Sequence, residues 1–87
     1  MAKVEIYSSM FCGFCHKAKK LLKAKGVRFN EIDVMMSPGK RTEMMKRAKG
    51  GSTVPQIFIG DRHVGGCDEL YKLEARGDLD TWLADAK

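Results

Sequence analysis

Apolar and polar residues change rhythm several times along this chain, and each change marks an element. Val4-Glu5-Ile6-Tyr7 alternates and predicts a short strand. From Phe14 to Ala24 the apolar positions are Phe14, Ala18, Leu21, Leu22 and Ala24, helical spacing with a narrow buried stripe. The regular helix is expected from His16 to Lys25, with Gly26 suited to the C′ position that ends it. Val27 to Val34 alternates again, weakly: Val27, Phe29, Glu31 and Asp33 fall on one side, Arg28, Asn30, Ile32 and Val34 on the other, and the β-branched content supports a strand. Ser37-Pro38 opens the next helix, with Pro38 fitted to the first helical position. Met44, Met45 and Ala48 form its apolar stripe, and Gly50-Gly51 ends it. Thr53 to Gly60 holds Val54, Ile57, Phe58 and Ile59, a third strand entered through Pro55. A turn at Asp61-Arg62 leads to a short fourth strand at His63-Val64, which Gly65-Gly66 breaks. Asp68 to Ala75 reads as a helix with Leu70, Tyr71 and Leu73 apolar. Gly77 separates it from a last helix, Leu79 to Ala84, able to bury Leu79, Trp82 and Leu83, and Ala84 to Lys87 is expected to form a frayed tail.

The order is therefore β-α-β-α-β-β-α-α. The opening strand–helix–strand gives a parallel pair through a right-handed crossover, and the later two strands can form a hairpin. The expected fold class is α/β: a four-stranded mixed sheet with helices on both faces. At 87 residues the chain reads as one domain, 1–87, near the low end for a self-sufficient core. No apolar run approaches the ~18 residues of a membrane span. The chain opens Met-Ala-Lys-Val without the apolar stretch of a signal peptide, so a cytoplasmic location is expected.

Charge alters this picture little. The net charge of +5 sits largely in Lys17, Lys19, Lys20, Lys23 and Lys25 on one helix and Lys40, Arg41, Lys46, Arg47 and Lys49 on another. No aromatics of the kind that stack on bases interleave with them, so they read as solvated faces and nucleic acid is not expected as a partner. A positive surface also steers anionic thiols and helps hold a thiolate. The methionines, including Met35, Met36, Met44 and Met45, read as core filler.

Cys12-Gly13-Phe14-Cys15 is the candidate chemistry. It lies between a predicted strand and a predicted helix, where a C-x-x-C pair reads as a thioredoxin-like redox site. Free N–H groups and the helix dipole favour an anion at Cys12, which makes it the nucleophile. Cys15, one turn further, is placed to resolve a mixed disulfide formed on Cys12. A structural zinc site is the first alternative, but Cys67, His16 and His63 supply no second ligand pair of the usual spacing. A static crosslink is the second; three cysteines and no signal peptide argue against it. His16 reads as an exposed residue that tunes charge, ahead of a proton-donor role, and His63 reads as having none. Gly65-Gly66 lets backbone approach a ligand, and the helix that follows points free N–H groups at an anion. Asp68 can bind there or simply cap the helix. Cys67 is read as a small residue contributing backbone, with a redox role the lesser reading.

With this element order, C-G-F-C, Thr53-Val54-Pro55 and Gly65-Gly66-Cys67-Asp68, the chain closely resembles a glutaredoxin, most like the small bacterial dithiol class, from Lys3 to about Leu83. The resemblance implies a thioredoxin-like fold and a glutathione-dependent thiol–disulfide oxidoreductase acting on protein–glutathione mixed disulfides and protein disulfides. Cys12 becomes glutathionylated and Cys15 resolves. The glutathione-binding residues it implies are Phe14, Thr53, Val54, Pro55, Gly66, Cys67, Asp68 and Glu69. Pro55 matches the family's cis-proline, although on residues alone an ordinary trans strand-start proline is the commoner state. Val54 is then expected to offer its N–H and C=O to glutathione as an added strand does. The implied partners are glutathione, glutathionylated or disulfide-bonded proteins, and glutathione reductase for regeneration, with a monomeric state.

The chain departs from the family at several positions. Gly13 stands where proline is frequent, Phe14 where tyrosine is frequent, and Glu69 where aspartate is frequent. Ser9 replaces a lysine common three residues before the nucleophile, leaving Lys17, Arg41 or Gln56 as candidates to meet the glycine carboxylate of glutathione. Gly13-Phe14 is similar to the monothiol branch that handles iron–sulfur clusters. It motivates a second reading, a homodimer holding one [2Fe–2S] cluster on two Cys12 thiolates and two glutathione thiolates.

Overall fold

The computed structural model describes residues 3–84. Its elements run β1 (Val4–Ser8), α1 (Gly13–Ala24), β2 (Asn30–Asp33), α2 (Pro38–Arg47), β3 (Gln56–Ile59), β4 (Arg62–Gly65), α3 (Cys67–Arg76) and α4 (Asp78–Ala84). They form a four-stranded sheet in the order β2-β1-β3-β4. β1 runs parallel to β2, and β3 runs antiparallel to both β1 and β4. This is the mixed α/β sheet expected from the sequence.

The period-2 rule sorts the strand side chains onto two faces. Val4 and Ile6 of β1 and Ile57 and Ile59 of β3 join Ala18 and Leu22 of α1, Leu70 and Leu73 of α3, and Leu79 and Leu83 of α4 in one apolar cluster. Tyr7 and Phe58 point the other way, to Met44 of α2, to Ala48 that caps its end, and to Val34. Helices therefore cover both faces. α1 buries Cys15, Ala18 and Leu22, three- and four-residue steps along one stripe. That stripe ties the second cysteine of the C-x-x-C pair into the core.

Several boundaries differ from expectation, each for a local reason. β2 is shorter than Val27–Val34, because the Val27 N–H turns back to the Leu22 carbonyl and makes no ladder bond, although Val27 and Val34 are both buried. β3 starts at Gln56, after Pro55, which has no N–H for a ladder. α1 starts at Gly13, three residues before His16, so that Cys12 is its N-cap. α3 starts at Cys67 with Gly66 as N-cap. Phe14 and Ala24, assigned to the apolar stripe of α1, are exposed. The methionines are not uniformly core: Met44 is buried, but Met10, Met35, Met36 and Met45 are exposed. Ala84 closes α4, and Asp85–Lys87 of the expected tail lie outside the described residues.

Candidate active site

The site is built where β1 hands over to α1. β1 ends at Ser8, and Ser9 to Phe11 make a turn in which the Cys12 N–H donates to the Ser9 carbonyl at 3.2 Å. Cys12 then caps α1 with its own sulfur: the Cys15 N–H donates to Cys12 Sγ at 3.0 Å. One of the orphan donors of the helix start is thus aimed at the thiol. On its other side Cys12 Sγ donates to the Val54 carbonyl at 3.6 Å. The Val54–Pro55 peptide is cis, the state the family resemblance implies and residue statistics alone do not.

The three cysteines are reduced and differ sharply. Cys12 is partly exposed, whereas Cys15 and Cys67 are buried. Burial, helped by its hydrogen bond with Cys12, pushes the Cys15 thiol up from 9.0 to about 12. Burial likewise pushes Cys67 upward. At neutral pH both stay protonated, so neither competes as a nucleophile.

Phe14, Thr53, Val54, Pro55, Gly66, Cys67, Asp68 and Glu69 line one open groove of about 320 Å³ alongside the thiol. The structure brings together every residue that the resemblance assigns to glutathione. Two loops make the far walls. Ahead of Thr53, the Arg41 guanidinium donates to the Ser52 carbonyl at 2.9 Å and braces the chain. Across the groove, the Gly66 N–H donates to Glu69 Oε1 at 2.8 Å, half of a capping box. That bond corrects one reading: the N-cap is Gly66, and Asp68 sits exposed in the first turn of α3. Gly65 has φ +111°, and a Cβ there would meet the Glu69 side chain at 3.0 Å, so this position requires glycine.

Of the three side chains considered in place of the absent lysine, two border Thr53. Gln56 is buried, with Nε2 donating to Thr53 Oγ1 at 3.4 Å. Arg41 reaches Ser52, as described. Lys17 lies instead over the Tyr71 ring, 4.9 Å from its centroid, on the α3 side. His16 is exposed, with its ring against the Met10 carbonyl at 3.3 Å. His63, given no role by its sequence context, holds Gln56 Oε1 at 2.6 Å and stacks on Phe58 with centroids 4.8 Å apart. Behind the site, Tyr7 donates to Glu43 at 2.6 Å and accepts from Arg47 at 2.8 Å, while Arg47 also pairs with Glu5 at 2.9 Å and covers the Phe58 ring. A tyrosine in a strand and a Glu–Arg pair four apart on α2 were the only sequence signals for this network.

Residues 4–64 match the family model for glutaredoxin. The chain belongs to the glutaredoxin family. It is 55% identical over 83 residues to Glutaredoxin 3 of Escherichia coli strain K12, covering 95% of this chain and 99% of that one. The solution structure of a glutaredoxin from Brucella melitensis superposes with a TM-score of 0.83 at 53% identity, over 95% of this chain and 89% of that one. A buckwheat glutaredoxin–glutathione complex superposes with a TM-score of 0.86 at 31% identity, over 97% of this chain and 78% of that one. This glutaredoxin is accordingly a glutathione-dependent thiol–disulfide oxidoreductase with a thioredoxin-like fold. Among the described residues, no helix is long and apolar enough to cross a membrane.

Proposed function

We propose that Cys12 is the nucleophile of this oxidoreductase, Cys15 its resolving thiol, and the groove from Phe14 to Glu69 its glutathione cradle, all within one glutaredoxin domain spanning 1–87. The observation that carries this reading is the asymmetry of the pair: Cys12 is reachable and receives the Cys15 N–H, while Cys15 is buried and held as a thiol. The Cys12 thiolate attacks the glutathione sulfur of a protein mixed disulfide. A Cys12–glutathione disulfide forms, the old S–S bond breaks, and the protein thiolate leaves and takes a proton. A second glutathione, as thiolate, attacks that adduct, releasing oxidised glutathione and restoring Cys12. With a protein disulfide, Cys12 forms the mixed disulfide and Cys15 displaces the protein thiol, giving an intramolecular disulfide that two glutathione molecules reduce. Oxidised glutathione is returned to the thiol by glutathione reductase.

The recognition roles are those the family resemblance implies, and the charge and shape of the groove support them. Val54 offers backbone to the cysteine unit of glutathione, as an added strand would. The Cys67 and Asp68 N–H groups at the start of α3 meet the γ-glutamyl carboxylate, and the Asp68 carboxylate meets the amino group. Arg41 and Gln56, both beside Thr53, are the cation and the amide nearest the end where the glycine carboxylate belongs. The buckwheat glutaredoxin, solved as a glutathione complex, supports a glutathione site on this fold. Coupled deglutathionylation with varied glutathione tests the cradle: Asp68→Ala should raise the glutathione concentration needed for half-maximal rate, and an unchanged dependence would return Asp68 to the helix alone.

A second reading, a [2Fe–2S] homodimer, draws on Gly13. Nothing stands within 4 Å of a Cβ built there, which leaves room for a second subunit beside Cys12. Among the described residues no group of three or more His, Cys, Asp or Glu could hold a metal, so such a cluster would need a Cys12 from each of two chains and two glutathione thiolates. A solved relative, 52% identical at a TM-score of 0.72, was described under the words metal binding of glutaredoxins. Anaerobic reconstitution with iron, sulfide and glutathione should give a coloured dimer that Gly13→Pro suppresses; a colourless monomer throughout removes this reading.

A further inference from the structure

Among the described residues, the large exposed apolar side chains other than Met45 of α2 gather at one end of the sheet. Met10, Phe11 (82% exposed) and Phe14 surround Cys12 in sequence, and Met35 and Met36 (74% exposed) follow β2. The two segments are spatial neighbours. Ser8 at the end of β1 pairs with Asp33 at the end of β2, and the Val34 N–H donates to the Ser8 carbonyl at 3.0 Å. Both loops therefore leave the sheet at the same end, side by side. Their backbones are held: His16 binds the Met10 carbonyl, and Asp33 Oδ1 accepts the Met35 and Met36 N–H groups at 2.8 and 3.4 Å. Exposed apolar side chains grouped together on a soluble chain, unlike ones scattered singly, mark an interaction surface.

The helix starts that follow the two loops of this apolar collar carry cations, while the acids Asp68 and Glu69 stand with Phe14 along the groove, on α3. Neither α1 nor α2 has an acid in its first turn. Lys17 follows the thiols, and Lys40, paired with Glu43 at 3.4 Å, and Arg41 follow Pro38 just beyond Met36. The acids of β2 and α2 are engaged: Asp33 by the two methionine N–H groups, Glu31 by Ser8 and Lys19, and Glu43 by Tyr7 and Lys40. Lys17 and Arg41 pair with no carboxylate among the described residues, and bind an aromatic ring and a backbone carbonyl instead.

We propose that this collar is the docking surface for the protein half of the substrate, and that it selects cysteines flanked by apolar side chains with aspartate or glutamate beyond them. The inference rests on the reading of Cys12 as nucleophile and deepens it: the groove takes glutathione, and the collar takes the chain to which glutathione is attached. Flexible Met10, Met35 and Met36 adapt to varied apolar neighbours, while Phe11 gives a fixed anchor. The cations then favour acidic segments over basic ones and speed their encounter.

Two glutathionylated peptides of equal length test this, one with Leu and Phe beside its cysteine and Glu beyond, the other with Ser and Gly beside it and Lys beyond. Glutathionylated 2-mercaptoethanol is the small control. The acidic, apolar peptide should show a kcat/KM about tenfold higher, and added salt should shrink that ratio. Phe11→Ser with Met36→Ser should bring the two peptides to within about twofold while leaving the small control unchanged. Equal rates for the two peptides in the wild type overturn the proposal, as does a double variant that keeps the ratio or that slows the control equally. Binding is read separately by NMR, from shifts at 9–17 and 33–41 on adding the acidic peptide with serine in place of its cysteine. Absence of such shifts also overturns it, whereas shifts in a protein that fails to turn over the small control uphold docking and sink the nucleophile assignment alone. Shifts at the same residues on raising protein concentration without peptide, with doubled mass by light scattering, overturn it in favour of self-association.

Discussion

The two walls of the groove do their work with different parts of the chain. On the α1 wall a side chain matters, the Cys12 sulfur, and the backbone serves it through the Cys15 N–H and the Val54 carbonyl. On the α3 wall the backbone matters, and a side chain serves it: Glu69 ties down the Gly66 N–H, and Gly65 keeps the left-handed bend that lets the turn pass. The first wall is sensitive to which atom is present, the second to whether an N–H points the right way. Substitutions should therefore separate chemistry from recognition.

The largest effect is expected on the first wall. Cys12→Ser should lower turnover of every substrate about 10³-fold or more, since it removes the proposed nucleophile from both half-reactions. Cys15→Ser should keep deglutathionylation and lose most reduction of protein disulfides, a split read by running both assays on one preparation. On the second wall, Gly65→Ala forces a Cβ onto Glu69 in a conformation that costs about 1–2 kcal/mol for an L residue, so both the melting temperature and the affinity for glutathione should fall while the rate at saturation holds. Asp68→Ala acts on the same wall by charge. A charge-assisted bond contributes about 1.5–3 kcal/mol when desolvated, and Asp68 is exposed, so a rise of about three- to tenfold in KM for glutathione is expected. His63→Phe keeps a ring against Phe58 but removes the partner of the buried Gln56 Oε1, leaving the amide with Thr53 alone. Its expected mark is a rise of about two- to fivefold in the same KM with kcat unchanged.

The pH dependence of stability gives a smaller test of the same contrast. Cys15 is raised to about 12 from 9.0 by burial, so the unfolded chain ionises first. Its contribution is complete below about pH 9 and declines as pH climbs towards 12. His63 is lowered from 6.5, chiefly by burial, so the unfolded chain takes up a proton first on acidification. Its contribution is complete above about pH 6.5 and shrinks as pH falls through the lowered value. Urea midpoints across pH should show the acid-side loss reduced in His63→Phe and the alkaline-side loss reduced in Cys15→Ala.

Much of this architecture was legible in the residue pattern, because periodicity reports burial directly. The eight elements follow from it, and so does the parallel β1–β2 pair. The boundaries were less legible where hydrogen bonding departs from burial. Val27 is buried without being in a strand, and Cys12 starts α1 by capping with sulfur, a cap no propensity scale ranks. Of the site, C-x-x-C and the glycine pair stand out from their spacing. The cis state of Val54–Pro55 needed the family resemblance. The Gly66–Glu69 bond and the His63–Gln56 pair arise from the fold and leave no local trace beyond the residue types. The exposure of Met35 and Met36 ran against expectation, because methionine composition cannot tell a core filler from a surface contact.

The division of labour between Cys12 and Cys15 is tested most directly by trapping the intermediate. Cys15→Ser is mixed with a stoichiometric glutathionylated peptide, quenched with acid, and digested for mass spectrometry without reductant. The account predicts one glutathione per chain, on the peptide carrying Cys12, with Cys67 unmodified and the adduct discharged by free glutathione. Glutathione on Cys67, or none on Cys12 while turnover continues, would contradict it.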